Sequence, residues 1–410
     1  MSDLASAAVE QVYRQHRTRM LAALVRALGD FELAEDALQE ACSQALRKWP
    51  RSQVPDDPFA WLLTVARNHA LDRLRHARMA RAKLPAPPPE TTVMSEKQLV
   101  DLGDERLSLI FTCCHPALAE DARSALTLQA VAGFTAAQIA RTFLVAETAL
   151  AQRLVRAKRK IRDAGITFEV PADHLLPERL RGVLGVLYLI FTRGYTVPDA
   201  SLRQEALRLG KLVAALMPDE PEAHGLVALM LLHDSRSAAR FTSDGELVLL
   251  DDQDRSLWNT GEIAEGMALL DRALRFGSPG PYVLHAVIAA LHVQDPVDWS
   301  RVAALYAELL AVAPTPVVEL NHAVAVAMVD GPEAGLALID GIAGLDSYHL
   351  LHSARADLLR RLDRRPEAVA AYRLAHDLAV SPADRRFLAG RMRSLEAKCH
   401  NDSPGAENLR

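Results

Sequence analysis

An all-helical chain of several domains is what this sequence predicts, on three observations. Half of the residues are apolar but only 5% are aromatic, and Ala and Leu dominate; these favour helices, whereas strands draw on β-branched and aromatic residues. Apolar residues recur at helical spacing, as in Leu150, Leu154, Ala157 and Ile161. The last third repeats itself. GPEAGLAL (Gly331–Leu338) and RPEAVAAY (Arg365–Tyr372) match at an offset of 34 residues, with Pro332/Pro366, Glu333/Glu367, Ala334/Ala368 and Ala337/Ala371 in register. That period belongs to tetratricopeptide-like helix pairs.

A length of 410 residues exceeds one ordinary core and fits two to four domains. Cys42, Cys113, Cys114 and Cys399 are too few and too scattered for a disulfide framework. The N-terminus lacks the apolar run of a signal peptide, and GVLGVLYLIFT (Gly182–Thr192) is too short to span a bilayer. The expectation is a soluble, cytoplasmic protein without a membrane partner.

The first block ends near Lys83. Within it GDFELAEDALQEA (Gly29–Ala41) holds Asp30, Glu32, Glu35, Asp36 and Glu40 and no base. An acidic helix repels DNA, so it is expected to meet a protein. FAWLLTVARNHALDRLRHARMARAK (Phe59–Lys83) is the opposite: Arg67, Arg73, Arg75, Arg78, Arg81 and Lys83 stand against the single acid Asp72. Trp61, Leu62, Val65 and Leu71 form its apolar side. Aromatic and basic residues on one helix suit single-stranded nucleic acid, where bases stack on rings and cations hold phosphates; Trp61 is equally compatible with a core position. The stretch LPAPPPETTVMSE (Leu84–Glu96) then breaks the helical pattern.

The second block closes on GFTAAQIARTFLVAETALAQRLVRAKRKI (Gly133–Ile161), a strongly basic segment in a chain whose formal net charge is −5. Its spacing predicts a helix-turn-helix. Thr135 caps a short first helix, and the second helix turns Leu150, Leu154, Ala157 and Ile161 to the core. The opposite face presents Thr148, Ala151, Gln152, Val155 and Arg159, flanked by Arg153, Arg156 and Lys160. Such a helix suits the DNA major groove, where Gln and Arg read base edges and Arg and Lys neutralise phosphates.

Three other clusters invite chemistry. Cys113-Cys114-His115 lacks a second Cys/His pair at finger spacing, so two buried small side chains at the head of a helix are expected, not zinc. Asp251, Asp252 and Asp254 lack the glycine that a calcium loop needs and read as caps. His233, His285, His292, His322, His349 and His352 lie in apolar helices with no triad or carboxylate pair around them. No catalytic residue, metal or cofactor is called for. GELVLL (Gly245–Leu250) reads as a short strand or a buried helical turn. A groove between stacked helix pairs suits a peptide or small-molecule effector.

An acidic helix, a basic aromatic helix, a linker and a helix-turn-helix, in that order, resemble a sigma factor of the sigma-70 class, in the compact extracytoplasmic-function (ECF) group. The resemblance implies region 2 over residues 5–83, a linker over 84–103, region 4 over 104–165 and a regulatory helical extension over 179–398. AEDALQEA resembles the part of the family that docks on the β′ clamp helices of core RNA polymerase, which implies contacts from Glu35, Asp36, Gln39 and Glu40. PFAWLLTVARNHALDRLR resembles the part that opens and reads the −10 element, implying Trp61, Arg67, Asn68, Asp72, Arg73 and Arg75. The basic segment resembles the −35 reader and implies DNA contacts from Glu147, Thr148, Ala151, Gln152, Arg153, Arg156, Lys158, Arg159 and Lys160. Ala146 and Ala151 replace the family's usual Ser and Lys, so a weaker helix start and a different base preference are expected. FTCCHPAL (Phe111–Leu118), VALMLLHDSR (Val227–Arg236) and DDQDRSLWN (Asp251–Asn259) resemble an ECF branch with a long C-terminal extension, which stands in for a dedicated anti-sigma partner. The alternative is a helix-turn-helix regulator with a sensing domain; it leaves AEDALQEA and the Trp61 helix without a role.

Overall fold

The computed structural model describes residues 2–81, 105–143, 145–196 and 199–401. Lys83 and the 84–103 linker lie outside the described residues, as do the side chains of Arg78, Arg81, Cys399 and His400. Two compact units divide the chain, Met1–Ile190 and Phe191–Arg410.

The first unit begins with α1 (Ser2–Leu28), α2 (Phe31–Ser52) and α3 (Pro58–Arg81), each packed on the other two. Helix α2 starts where Asp30 accepts a hydrogen bond from the Leu33 amide at 3.1 Å. It buries Phe31, Ala34, Leu38, Ala41, Ala45 and Trp49, a stripe at helical spacing. Asp57 caps α3 through the Ala60 amide. Trp61 meets the buried Trp49 edge to face at 5.4 Å, so it is half-buried and braces the bundle.

The unit continues with α4 (Glu105–Cys113), α5 (Glu120–Ala130), α6 (Ala136–Phe143) and α7 (Glu147–Asp163). Cys113 and Cys114 are buried at the C-terminal end of α4, not at a helix head as expected. Burial pushes the Cys114 thiol up to about 11 and raises Cys113 as well. Thr135 and Gln138 cap α6 reciprocally. The Gln138 amide donates to the Thr135 hydroxyl, and the Gln138 side chain accepts from the Thr135 amide at 2.8 Å. Residues Leu176–Thr196 form α8.

The second unit stacks α9 (Ala200–Leu216), α10 (Pro221–Asp234), α11 (Thr260–Leu274), α12 (Pro281–His292), α13 (Trp299–Val312), α14 (Pro316–Val329), α15 (Pro332–Ile339), α16 (His349–Arg361), α17 (Arg365–Leu378) and α18 (Pro382–Asn401), neighbours in sequence packing as neighbours in space. Helices α13, α15 and α17 start 33 residues apart, so the repeat read from Gly331 and Arg365 is a series of helix hairpins that extends back to WSRVAALYAELL. Small residues set the closest approaches. A Cβ on Gly335 would sit 2.4 Å from the Ala327 Cβ, and one on Gly225 would sit 2.8 Å from the Val283 nitrogen. Gly280 offers α12 no capping side chain, and Glu222 of α10 fills that role, accepting from the Tyr282 and Val283 amides at 2.9 and 3.2 Å.

GELVLL is neither strand nor helical turn throughout. Phe241 and Leu247 pair in one isolated antiparallel bridge around Gly245, which has φ +75°, and a single 3-10 turn follows at Leu250–Asp252. Asp254 accepts from the Ser256 amide and caps the next 3-10 turn. Among the described residues no group of three or more His, Cys, Asp or Glu is placed to hold a metal ion. Burial holds His285 and His292 down to about 4 and drives His233 lower than its ordinary value, with Arg236 adding repulsion.

Candidate functional site

Helix α7 has the two faces that its spacing demands. Leu150, Leu154, Ala157 and Ile161 are buried, while Glu147, Thr148, Ala151, Gln152, Val155, Arg156, Arg159 and Lys160 are exposed. Its exposed face therefore carries a glutamine, a threonine and three cations. Arg153 is half-buried and donates to Asp121 at 3.2 Å, which fixes its direction and leaves less of it for a groove. Helix α7 starts at Ala146 with no side-chain cap. Ala146→Ser should stabilise this helix start by about 0.5–1 kcal/mol, read as a raised unfolding midpoint; an unchanged midpoint would show that the first turn is already satisfied.

Lys158 is placed elsewhere. Only 8% exposed, it points away from the exposed face and donates to Glu35 Oε2 on α2 at 2.5 Å. The reason is local: Lys158 lies four residues after Leu154 and three before Ile161, so it shares the buried stripe. Arg162, one turn on, stands 3.6 Å from Asp30 and 3.7 Å from Glu32. Helix α1 ties the same seam. Arg17 donates to the Ala130 carbonyl at 2.9 Å and approaches Glu35 Oε1 at 4.0 Å, and Thr18 donates to the Val131 carbonyl at 2.7 Å.

The acidic residues of α2 thus divide. Asp30, Glu32 and Glu35 face α7, whereas Asp36 and Gln39 are exposed and Glu40 is half-exposed. Asp36 accepts from Arg73 of α3 at 2.7 Å, and Glu40 from Arg47 at 2.8 Å. On α3, Asn68, Asp72, Arg73 and Arg75 are exposed and Arg67 is half-buried; Arg75 pairs with Asp72 at 3.1 Å. Asn68, Asp72 and Arg75 share one face of α3 at i, i+4, i+7 spacing, Arg73 turns toward Asp36 of α2, and Trp61 packs against Trp49. Arg17 and Thr18 were not singled out by sequence. Arg17 and Thr18 carry no local signal, because their partners lie 113 residues away.

Among the described residues no helix is long and apolar enough to cross a membrane. Residues 12–79 match the family model for sigma-70 region 2, and residues 108–161 match that for sigma-70 region 4. Residues 179–274 match a family of unknown function, DUF6596. The chain is 40% identical over 403 residues to the uncharacterized protein R00370 of Rhizobium meliloti, covering 93% of this chain and 94% of that one. It is 31% identical over 179 residues to the probable ECF RNA polymerase sigma factor SigI of Mycobacterium tuberculosis, covering 42% of this chain and 60% of that relative. The yeast Tom70 structure is similar at a TM-score of 0.40 and 11% identity, covering 96% of this chain and 85% of that one. The region 2 bundle and the region 4 helix-turn-helix follow one another in order, and with them this chain belongs to the sigma-70 class of RNA polymerase sigma factors, in the ECF group, as a member with a long helical C-terminal extension.

Proposed function

We propose that this chain acts in the cytoplasm as an alternative sigma factor that binds core RNA polymerase and directs it to particular promoters. One observation carries the reading: a single unit holds a helix whose outward edge carries Asp36, Gln39 and the half-exposed Glu40, and a helix-turn-helix with an exposed Gln/Arg/Lys face. A DNA-binding regulator has use for the second face and none for the first.

On this reading residues 5–83 act as region 2 and 104–165 as region 4. The exposed α2 residues dock on the β′ clamp helices. Asn68, Asp72, Arg73 and Arg75, with Arg67 and Trp61 behind them, serve the −10 element. Thr148, Ala151, Gln152, Arg156, Arg159 and Lys160 enter the −35 major groove, with Glu147 and Arg153 at its margin. Sigma factors are non-enzymatic initiation factors, and the polymerase performs the chemistry. The extension over 179–398 regulates, and the groove lined by Ile342, Leu351, His352, Arg355 and Leu374 offers a peptide or small-molecule effector apolar and charged contacts.

The test is competition between the full chain and a housekeeping sigma factor for core polymerase, followed by promoter binding. Displacement, with specific DNA binding only in the presence of core polymerase, is the expected result. Specific DNA binding by the chain alone, without displacement, would favour the helix-turn-helix regulator.

A further inference from the structure

We propose that Arg236, Arg240 and His233 of the second unit form a binding site for a small oxyanion, a carboxylate or a phosphate monoester, walled by Tyr195 and Trp258. These residues differ from those lining the groove at Leu351 and Leu374, and the inference does not depend on the sigma-factor reading. The site lies where α10 ends. His233 is on its last turn, and Arg236 and Arg240 flank the 3-10 turn Ser237–Ala239 that follows. Tyr195 of α8 meets the His233 ring edge to face at 5.7 Å. The Arg240 guanidinium lies 3.8 Å over the Tyr195 ring and donates to the Tyr195 carbonyl at 2.5 Å. Arg236 stands 6.0 Å from the centre of the Trp258 ring.

The charge here is unbalanced. Nearby Arg203 has Asp234, and Arg255 approaches Asp295 at 3.9 Å. Among the described residues no carboxylate forms an ion pair with Arg236 or Arg240. Asp384, the acid whose field reaches Arg240, meets His349 at 3.4 Å. Arg236 is only 7% exposed, and its Nε is buried with no hydrogen-bond partner. Trp258 is 7% exposed as well, and its Nε1 is unpartnered in the same way. Two enclosed N–H groups without acceptors, one of them on a cation, cost stability until an acceptor arrives.

The tautomer of His233 adds a third donor. Its Nδ1 stands 3.2 Å from Arg236 Nη2, and a guanidinium can only donate, so Nδ1 accepts and Nε2 carries the proton. Burial, with Arg236 adding repulsion, keeps His233 and His292 neutral. Two guanidinium groups, an indole and this imidazole therefore offer donors. A ligand that only accepts, and carries negative charge, is the complement; carboxylates and phosphates do both and match the guanidinium fork. Metal cations are repelled. Tyr195, His233 and Arg240 are half-buried, not sealed, so a small solute can reach them.

The sequence has four tryptophans, so indole N–H resonances of the nitrogen-15-labelled full chain read the site directly, with Trp258→Phe assigning the peak. Inorganic phosphate and succinate are titrated separately against chloride at constant ionic strength. At least one should move the Trp258 indole saturably while Trp49 and Trp61, in the first unit, stay in place; the tighter of the two names the ligand class. Arg236→Met should weaken that binding roughly tenfold or more, with an unfolding midpoint in chloride equal to or above the parent's, because it removes an enclosed, unpaired charge. Arg208→Met, at an exposed arginine paired with Glu205, should respond as the parent does. If Arg236→Met unfolds earlier than the parent, Arg240→Gln decides, and parental binding in that variant would overturn the site. So would a Trp258 indole that neither anion moves, four indoles that shift alike, or parental binding by Arg236→Met.

Discussion

Asp234→Ala should destabilise the C-terminal unit by about 3–5 kcal/mol, the largest single loss expected outside the apolar core. Arg203 on α9 donates to Asp234 at the end of α10 at 2.5 Å, and the two side chains are only 12% and 9% exposed. Arg203 also donates to the Gly194 carbonyl at 3.2 Å. Removing the carboxylate leaves a guanidinium enclosed with one neutral acceptor, and Arg236 and Arg240 nearby are already pushed down by burial. A buried charge that loses its partner costs far more than the intact pair contributes. Double replacement separates the two effects: Arg203→Met with Asp234→Leu should recover most of the loss. Chemical denaturation of the full chain reads both. A loss under 1 kcal/mol for the single variant would mean that water reaches Arg203, and no recovery in the double variant would mean that the site is held by shape and not by charge.

Much of this was legible from residue spacing. The 34-residue offset between Gly331 and Arg365 found the helix hairpins because each hairpin buries the same stripe against the next, leaving the same small and apolar positions in each copy. Thr135 announced the start of α6 because a hydroxyl before a helical run has an amide to satisfy, and Gln138 completes the box. The exposed face of α7 followed from the buried one. Lys158 did not follow, although the signal was present: it sits four residues from Leu154 and beside Ala157, on the stripe read as core. A lysine there reads as a flank of the basic face until a carboxylate is known to wait opposite. That carboxylate, Glu35, lies 123 residues away, and pairing at such separation leaves no periodicity to read. Arg17 and Thr18 were hidden for the same reason. Trp61 packs against Trp49 of α2, a contact between helices that spacing within α3 does not show.

The division of α2 into an inward and an outward acidic edge leads to the second large effect. Asp36→Arg together with Glu40→Arg should weaken binding of the full chain to core polymerase roughly 10- to 100-fold, because two reversed charges meet whatever basic surface the acidic edge fits. Folding should barely change. Asp36 and Glu40 are exposed enough that their pairs with Arg73 and Arg47 are surface pairs, which contribute little to stability. The unfolding midpoint is therefore the control, and it separates lost docking from lost structure. Raising the salt concentration should narrow the gap between variant and parent, since exposed charges act over a screened distance. An affinity equal to the parent's would move docking away from Asp36 and Glu40, and a midpoint that falls with the affinity would return both residues to a role in holding α2 against α3.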